Sequence, residues 1–321
     1  MPRRDSGSER VVYTALAGNL AITVTKFIAA AVSGSSAMLS EGVHSLVDTT
    51  NELLLLYGLK RAARPATLAN PLGFGREVYF WSFIVSLLVL TLGAGVALWQ
   101  GVVHVRQPHA IDHPALNYAV LAVAFLVEGA SWRVALMRFR ECKGDRGWLE
   151  AFRDSKDAST LTVLMEDSAA LLGVIMAAAG IAAAQALGMP VLDGVASVGI
   201  GLLLAGASLL LAAETKGLLI GEPAHPWVRD SILQIAVDDK AIRHANGVIT
   251  VQVGVDRIVA SVSAEFEDRL TADDIEACVA RVEVAIRAKH PEIVMLFIKP
   301  QARDMWAQRL EALRRGSDVT P

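Results

Sequence analysis

Apolar residues fill most of the first two thirds of this 321-residue chain in six long stretches, separated by short polar segments. Each stretch has about 20–27 residues, the length that a helix needs to cross a bilayer with some tilt. Small residues recur in several stretches and allow helices to pack closely in lipid. The predicted spans are Val11–Val32, Ala37–Leu59, Tyr79–Val103, Ala115–Met137, Leu161–Leu187 and Val191–Ala213.

Two short links join neighbouring spans into hairpins. Ser33–Ser36 contains Gly34, which is free to adopt the backbone angles of a tight turn, and Gly188–Pro190 plays the same part between the last two spans. The segment Met1–Arg10, before the first span, is short, polar and basic. Since the apolar run after it is too long for a signal-peptide core, we expect a retained first helix.

The pattern changes after Gly221. Proline at the start favours a helix over Pro226–Val237, and alternating apolar and polar residues on both sides of Asp256-Arg257 predict a β-hairpin. Thr271 is a suitable N-cap for a second helix. The remaining elements are predicted as strands Gly247–Val255 and Ile258–Phe266, a helix that ends at Lys289, and strand Ile293–Ile298.

This element order predicts a small α+β domain of ferredoxin-like or metallochaperone-like fold. The fold class is therefore an α-helical membrane protein with six transmembrane helices and a cytoplasmic α+β C-terminal domain. We divide the chain into an N-terminal segment 1–10, a membrane domain 11–214, the α+β domain 221–301 and a charged tail 302–321, which we expect to be partly helical at most.

Basic residues predict the orientation of the chain in the membrane. They precede the first span and fill the loops after the second and fourth spans, whereas the alternate loops carry only Arg106. By the positive-inside rule, both termini face the cytoplasm. The basic residues concerned are Arg3, Arg4, Arg10, Lys60, Arg61, Arg64, Arg76, Arg138, Arg140, Lys143, Arg146, Arg153 and Lys156.

The remaining composition excludes several classes of function. A formal net charge of −3 gives no electrostatic footprint for nucleic acid. Cys142 and Cys278 are far apart in the sequence and form no CxxC motif, so neither a disulfide framework nor a thiolate zinc site is indicated.

The second span contains the first candidate for metal binding. His44 and Asp48 are four residues apart and therefore lie on one face of a helix, one turn apart. An imidazole and a carboxylate at this spacing can share one divalent ion, each at about 2 Å from it. Ionisable groups in a membrane helix are costly, and we interpret this pair as functional.

A carboxylate pair in the fifth span is the second candidate. Glu166 and Asp167 point about 100° apart on a helix, so they cannot both face one ion squarely. One of them is expected to share the metal with His44 and Asp48, while the other faces a water-filled path or the interface. The alternative is that this part of the helix lies at the cytoplasmic end, where both carboxylates reach water.

Other polar residues also lie within the spans. We interpret Asn19 and Asn51 as partners in interhelical hydrogen bonds, with metal ligation as the second alternative. Lys26 is expected to pair with an acid or to extend towards an interface. Glu128 is either a proton carrier or group next to the metal ligands, or a structural carboxyl that is kept neutral.

With these residues in view, the sequence resembles the cation diffusion facilitators, a family of transporters for zinc and related divalent metals. The resemblance covers nearly the whole chain and extends to Asp193 and the α+β domain. It is carried by the motifs Gly34–Glu41, His44–Asp48 with Asn51, Pro71–Phe83, Ser155–Asp157 and Glu166–Gly173.

The resemblance implies a central metal site built from one HxxxD or DxxxD pair in the second helix and another in the fifth. His44 and Asp48 match the first pair, and Asp167 matches the second residue of the other pair. The first residue of that pair falls on Val163, which cannot bind a metal. The fourth ligand is then Glu166, water or a backbone carbonyl, and such a set suits zinc but also iron, cobalt or manganese.

Two further features differ from parts of the family. The loop between the fourth and fifth spans lacks a histidine run, so nothing in it resembles a metal-collecting loop. His225, His244 and His290 of the C-terminal domain are widely separated, and we interpret them as single surface histidines. The resemblance also implies a homodimer, which the C-terminal domain helps to join.

The functional hypothesis is export of a divalent metal, zinc first, from the cytoplasm by proton antiport in a bacterial inner membrane. The metal is the transported substrate, and no prosthetic group or enzymatic activity is expected. The alternatives are export of iron, manganese or cobalt, a metal-responsive membrane scaffold or sensor, and an intramembrane metalloenzyme. The last would require an open coordination position and a general base, and the chain contains no HExxH motif.

Overall fold

A computed structural model of the chain describes residues 6–143, 147–148, 151–152 and 155–317. It divides into one unit of Met1–Arg61 with Glu77–Lys216 and a second of Ala62–Arg76 with Gly217–Pro321. The predictions for residues 1–5 and 318–321, and for Arg146 and Arg153, fall outside the described residues.

Long helices form the first unit, and each overlaps one of the predicted spans. The third contains a π-helical stretch, Val89–Ala94, at its middle. The helices are α1 Ser6–Ser33, α2 Ser36–Ala62, α3 Glu77–Arg106, α4 Pro114–Lys143, α5 Ala158–Leu187 and α6 Val191–Ile220.

In the described part of the chain, α3, α4, α5 and α6 are the four helices that are long and apolar enough to cross a membrane. Apolar side chains such as Leu126, Trp99 and Leu202 are 72%, 68% and 62% exposed on them, as expected of a surface that faces lipid. In α2 the apolar run is interrupted by acidic residues. In α1 the apolar stretch is described from Asn19 to Ser33. The protein is thus a membrane protein, and the count of six spans stays a prediction.

Glycines form the two predicted hairpin links. Gly34 and Gly188 have φ angles of +70° and +61°, in the left-handed region where a side chain is strained. The Gly34 amide donates to the Ala30 carbonyl at 2.9 Å and ends α1, so α2 starts two residues later. The link at Gly188 ends α5 in the same way.

Where α3 crosses α6, glycines allow the two backbones to touch. A Cβ atom on Gly101 would lie 2.6 Å from the backbone nitrogen of Val198, and one on Gly194 would lie 2.9 Å from that of Val105. Close approach through small residues is how helices gain packing energy in lipid, where the hydrophobic effect does not drive their association.

A three-stranded sheet with two helices on it forms most of the second unit. Strand β1 pairs with β2 in antiparallel order, and β2 pairs with β3 in parallel order, because the helix between them returns the chain to the same end of the sheet. The order helix, strand, strand, helix, strand was predicted. The elements are α7 Pro226–Val237, β1 Ile242–Gly254, β2 Arg257–Phe266, α8 Ala272–Lys289 and β3 Ile293–Pro300.

The structure corrects the expectation for the tail after residue 302. A helix, α9, runs from Arg303 to Ser317. Its polar residues face outward, while Trp306 is 8% exposed and its indole contacts Gly247 of β1. The sequence is too charged to look like a stable helix alone, and the contact with the sheet stabilises it.

The interpretation of His290 as a surface histidine is wrong. Its side chain is 2% exposed, and its Nε2 and Nδ1 lie 2.7 Å from Ser231 Oγ and 3.0 Å from Glu292 Oε1. Both ring nitrogens therefore have partners within the domain, and the residue joins α7 to the start of β3. His244 is exposed, as predicted.

Candidate metal centre

One turn of α2 holds the two residues that the sequence singled out. His44 Nδ1 lies 3.4 Å from Asp48 Oδ1, and His44 is 1% exposed. In the described part of the chain, neither ring nitrogen of His44 has a hydrogen-bond partner, and Asp48 Oδ1 has none either. Two ligands of a tetrahedral zinc ion, each about 2.0–2.1 Å from the metal, stand about 3.3–3.4 Å apart. The pair therefore fits one edge of such a site.

A small polar cavity lies beside Asp48. It has a volume of about 50 Å³, above the ~10–15 Å³ that one water requires. Asp48 and Asp167 both line it, so the structure brings these two predicted ligands to the same cavity. The other polar side chains around it are Asn19, Ser45, Thr49, Glu52, Glu128 and Ser131.

His44 opens on the other side, into a second cavity of about 10 Å³ that it shares with Glu166. Val89, the first residue of the π-helical stretch in α3, also lines this cavity. Such π-bulges are frequent at functional sites because they change which side chains a helix presents. The two adjacent carboxylates of α5 thus face different cavities, as their angular separation on a helix requires.

Helix α5 begins at a capped end nine residues before these carboxylates. The Asp157 side chain accepts a hydrogen bond from the Thr160 amide at 3.1 Å and fixes the start of the helix. Further along, Glu166 Oε1 accepts from Asn51 Nδ2 at 2.7 Å, and Asp167 Oδ2 accepts from Ser131 Oγ at 2.8 Å. These bonds hold the α5 carboxylates towards α2 and α4 respectively.

The first helix contributes through hydrogen bonds. Asn19 Nδ2 donates to Glu52 Oε1 at 2.6 Å and joins α1 to α2. Asn51 likewise bonds to Glu166, so both asparagines make the interhelical hydrogen bonds that the sequence analysis favours for them. Asn19 also lines the cavity of Asp48, whereas Asn51 lines neither cavity.

A buried ion cluster borders this region. Lys26 is fully buried, and its Nζ donates to Glu128 Oε1 at 2.9 Å, Glu41 Oε2 at 3.1 Å and Ser45 Oγ at 2.7 Å. The three protons of the ammonium thus have three acceptors. The paired alternative for Lys26 is the one observed. Glu41 contacts Gly173 of α5 and is a buried charge that sequence reasoning missed. It stands only within the motif Gly34–Glu41, although a carboxylate in an apolar run is a signal of a functional charge.

Val163 lies one turn before Asp167 and packs against the apolar cluster of α4 that contains Ala135 and Phe139. Across the described ranges, no three His, Cys, Asp or Glu side chains converge closely enough to hold an ion. The set of His44, Asp48, Asp167 and Glu166 therefore stays a prediction. For all four residues to bind one ion, α2 and α5 would have to move so that the two cavities become one.

A match to a family model identifies the relationship of this chain to known proteins. Residues 12–220 match the cation efflux transmembrane domain. The chain belongs to the cation diffusion facilitator, or cation efflux, family. It is therefore a member of a family of metal transporters, and the helical unit with its acidic cavities is the part that defines membership.

Several relatives agree with this assignment. Over 90% of this chain, it is 30% identical to the proton-coupled zinc antiporter SLC30A9, mitochondrial, of Xenopus laevis, and the match covers 53% of that protein. The metal tolerance protein C4 of Arabidopsis thaliana is 26% identical over 98% of the chain and 65% of its own length. The magnetosome protein MamB of Magnetospirillum gryphiswaldense is 24% identical over 91% of the chain and 94% of its own length. The chain spans about half the length of the SLC30A9 relatives that it matches.

Proposed function

We propose that this protein exports a divalent metal ion, zinc first, from the cytoplasm in exchange for protons. The observation that carries the proposal is the pair of His44 Nδ1 and Asp48 Oδ1, buried, 3.4 Å apart and without hydrogen bonds in the described structure. Buried polar atoms without partners are costly, and a bound ion would satisfy both at once.

Acidic side chains on the adjacent helix supply the rest of the site in this proposal. Asp167 reaches the cavity of Asp48, and Glu166 reaches that of His44. Imidazole and carboxylate ligands bind metal only when they are deprotonated, so protons that enter from the opposite side release the ion. Glu128 lines the cavity of Asp48 and Asp167, and in this proposal it takes part in the proton exchange.

The remaining predictions complete the proposal. All six helices of the first unit span the membrane, and both termini face the cytoplasm, in accordance with the basic loops. The protein acts as a homodimer in a bacterial inner membrane. The name of the Xenopus laevis relative, a proton-coupled zinc antiporter, supports zinc as the cargo and protons as the counter-ion.

Another divalent metal is the second candidate for the cargo. Three of the four predicted ligands are carboxylates. Val163 stands where the family's motif in the fifth helix has a metal ligand. Oxygen-rich sites favour harder ions such as manganese, whereas imidazole suits zinc, iron and cobalt. A scaffold or sensor that binds metal without transporting it is the alternative that the same site permits.

Metal flux into proteoliposomes under an imposed pH gradient tests the proposal. Zinc, manganese, iron and cobalt are compared with wild-type protein, Asp48→Asn, which preserves the shape of the side chain, and Thr50→Val. Thr50 is exposed two residues away on α2 and serves as the matched control. We expect proton-coupled flux of zinc in wild type and Thr50→Val, and none in Asp48→Asn.

The other results separate the alternatives. Flux of a different metal with the same dependence on Asp48 changes the cargo and retains the transporter. Folded protein that binds zinc but carries no metal supports the scaffold or sensor. Equal flux in wild type and Asp48→Asn excludes the proposed metal centre.

A further inference from the structure

Three helix connections meet at the end of the bundle opposite the predicted cytoplasmic loops. The Asp112 amide donates to the Ser33 carbonyl at 2.8 Å, and His109 Nε2 lies 2.8 Å from the Gly34 carbonyl oxygen. The Asp193 carboxylate at the start of α6 accepts from the Ser36 amide at 2.6 Å. The links after α1, α3 and α5 are thereby tied together.

A cavity of about 460 Å³ lies at this end. It is bounded by α1, α2, α3 and the loop after α3, and it is separate from the cavities around Asp48 and His44. Its polar side chains are Ser35, Ser36, Gln100, His104 and His109, and no Lys or Arg occurs among the described residues that line it.

His104 is the unusual residue of this cavity. It is 2% exposed, and neither ring nitrogen makes a well-aligned hydrogen bond in the described structure, although the backbone of Pro190 lies close to the ring. Its Nε2 stands 4.0 Å from Asp193 Oδ2, beyond the reach of a hydrogen bond. A buried imidazole without partners loses its interactions with water and gains none in exchange, unless something else binds it.

His109 provides a second imidazole at the same place. Its ring centroid lies 4.3 Å from that of His104. Nε2 is 2.8 Å from the Gly34 carbonyl oxygen and Nδ1 is 3.4 Å from that of Gln107, so the shorter contact assigns the proton to Nε2. The lone pair of Nδ1 then remains free to coordinate a metal ion.

Asp193 does not line the cavity, but it bonds to Ser35 and Ser36, which do. Its carboxylate accepts from the hydroxyl groups of Ser35 and Ser36 and from the amides of Ser36 and Ala37 at 2.6–3.4 Å. These donors occupy the lone pairs of the carboxylate at the N-terminus of α2. An acidic side chain 4.0 Å from His104 Nε2 favours a cation over an anion at the two imidazoles.

We propose that His104 and His109 form a second divalent-cation site, at which a metal ion pauses after it leaves the central site. This proposal rests on the proposed export function. Two protein nitrogens with water in the other positions make a weaker site than the four-ligand sites of structural zinc, so the ion exchanges readily. Ser36 and His44 are eight residues apart on α2, which puts this site about 12 Å further along the helix than the central one.

Binding of Zn²⁺ and of Co²⁺ to the full chain in lipid nanodiscs tests the proposal. Stoichiometry and affinity are measured for wild type, His104→Gln, His109→Gln, Asp48→Asn and His113→Asn. His113 lies in the same loop, is exposed and does not line the cavity. Asparagine tolerates its φ of +48°, so His113→Asn is the matched control.

We expect His104→Gln and His109→Gln each to lower the affinity for one class of bound ion by at least about tenfold. Each should also remove the cobalt–imidazole absorption of that class. Asp48→Asn should lower the affinity for the other class, and His113→Asn should change the affinity for neither. Unchanged binding in both His104→Gln and His109→Gln overturns the second site. If Asp48→Asn leaves binding intact while His104→Gln reduces it, the central site fails and the second site stands.

A measurement on unsubstituted protein avoids dependence on how the variants fold. Diethyl pyrocarbonate modifies neutral imidazoles, and mass spectrometry reads the extent at each histidine. Zn²⁺ is expected to slow modification of His109 and to leave the rate at His113 unchanged. Equal rates at His109 with and without Zn²⁺ contradict the proposal.

Discussion

Lys26 and Glu128 are 102 residues apart in the chain, and their side chains meet at 2.9 Å inside the helical unit. The same ammonium bonds to Glu41, so one cation pairs with carboxylates from two other helices. Glu128 also lines the cavity of Asp48 and Asp167. The ion cluster and the candidate metal centre are therefore neighbours that share a side chain.

Lys26→Met is expected to destabilise the folded protein by about 3–5 kcal/mol, because it leaves two carboxylates buried without their cation. Unfolding in detergent measures the loss. Lys26→Arg retains the charge and should lose less. Thr25→Met, at an exposed position next to it on α1, is the matched control and should behave like wild type. Equal stability of Lys26→Met and wild type would mean that the cluster contributes nothing.

Gly194→Ala should cost ~1–3 kcal/mol, because the new methyl group would lie 2.9 Å from the backbone nitrogen of Val105 and would push α3 away from α6. Gly206→Ala on the same helix meets nothing within 4 Å and should be neutral. Thermal unfolding of the two variants in one detergent compares them. The close contact between the helices is disproved if Gly194→Ala and Gly206→Ala unfold at the same temperature.

Cys278 should react slowly with iodoacetamide. Burial, with the neighbouring Asp239 carboxylate, raises the pKa of its thiol to about 11, and the thiolate is the reactive form. In a Cys142→Ser protein, the labelling rate should still be rising at pH 10, whereas the rate for the unfolded chain should be half-maximal near pH ~8.5 and level off above it. The raised pKa also means that this thiol stabilises the fold below about pH 8.5 and that the contribution is lost as pH rises towards 11. A half-maximal labelling rate near pH ~8.5 in the folded protein would refute this.

Trp306→Ala should release α9 from the sheet. Removal of a buried tryptophan costs ~3–5 kcal/mol, more than a short charged helix retains by itself. Limited trypsin digestion should then cut at Arg309, which wild type protects. Met305→Ala, at an exposed neighbouring position, is the control and should digest like wild type. Equal cleavage in all three proteins would show that the helix is not held by Trp306.

Local patterns predicted the elements well. The turn at Gly34, the start of α7 at Pro226 and the N-cap at Thr271 all occur where the sequence indicates, because each depends on residues within one or two turns. The separation of Glu166 from Asp167 into different cavities also follows from helix geometry alone. Strand β1 begins five residues earlier than predicted, since its first residues pair with the end of β2.

Sequence patterns were enough to predict α1–α8, β1–β3, the family, and the residues that carry charge into the helical unit. Those properties depend on neighbours along the chain. The partner of Lys26, the burial of His290, the docking of α9 and the pairing of His104 with His109 were decided by the tertiary structure. Each of these depends on which distant surface meets a side chain, and periodicity along one element carries no information about that surface.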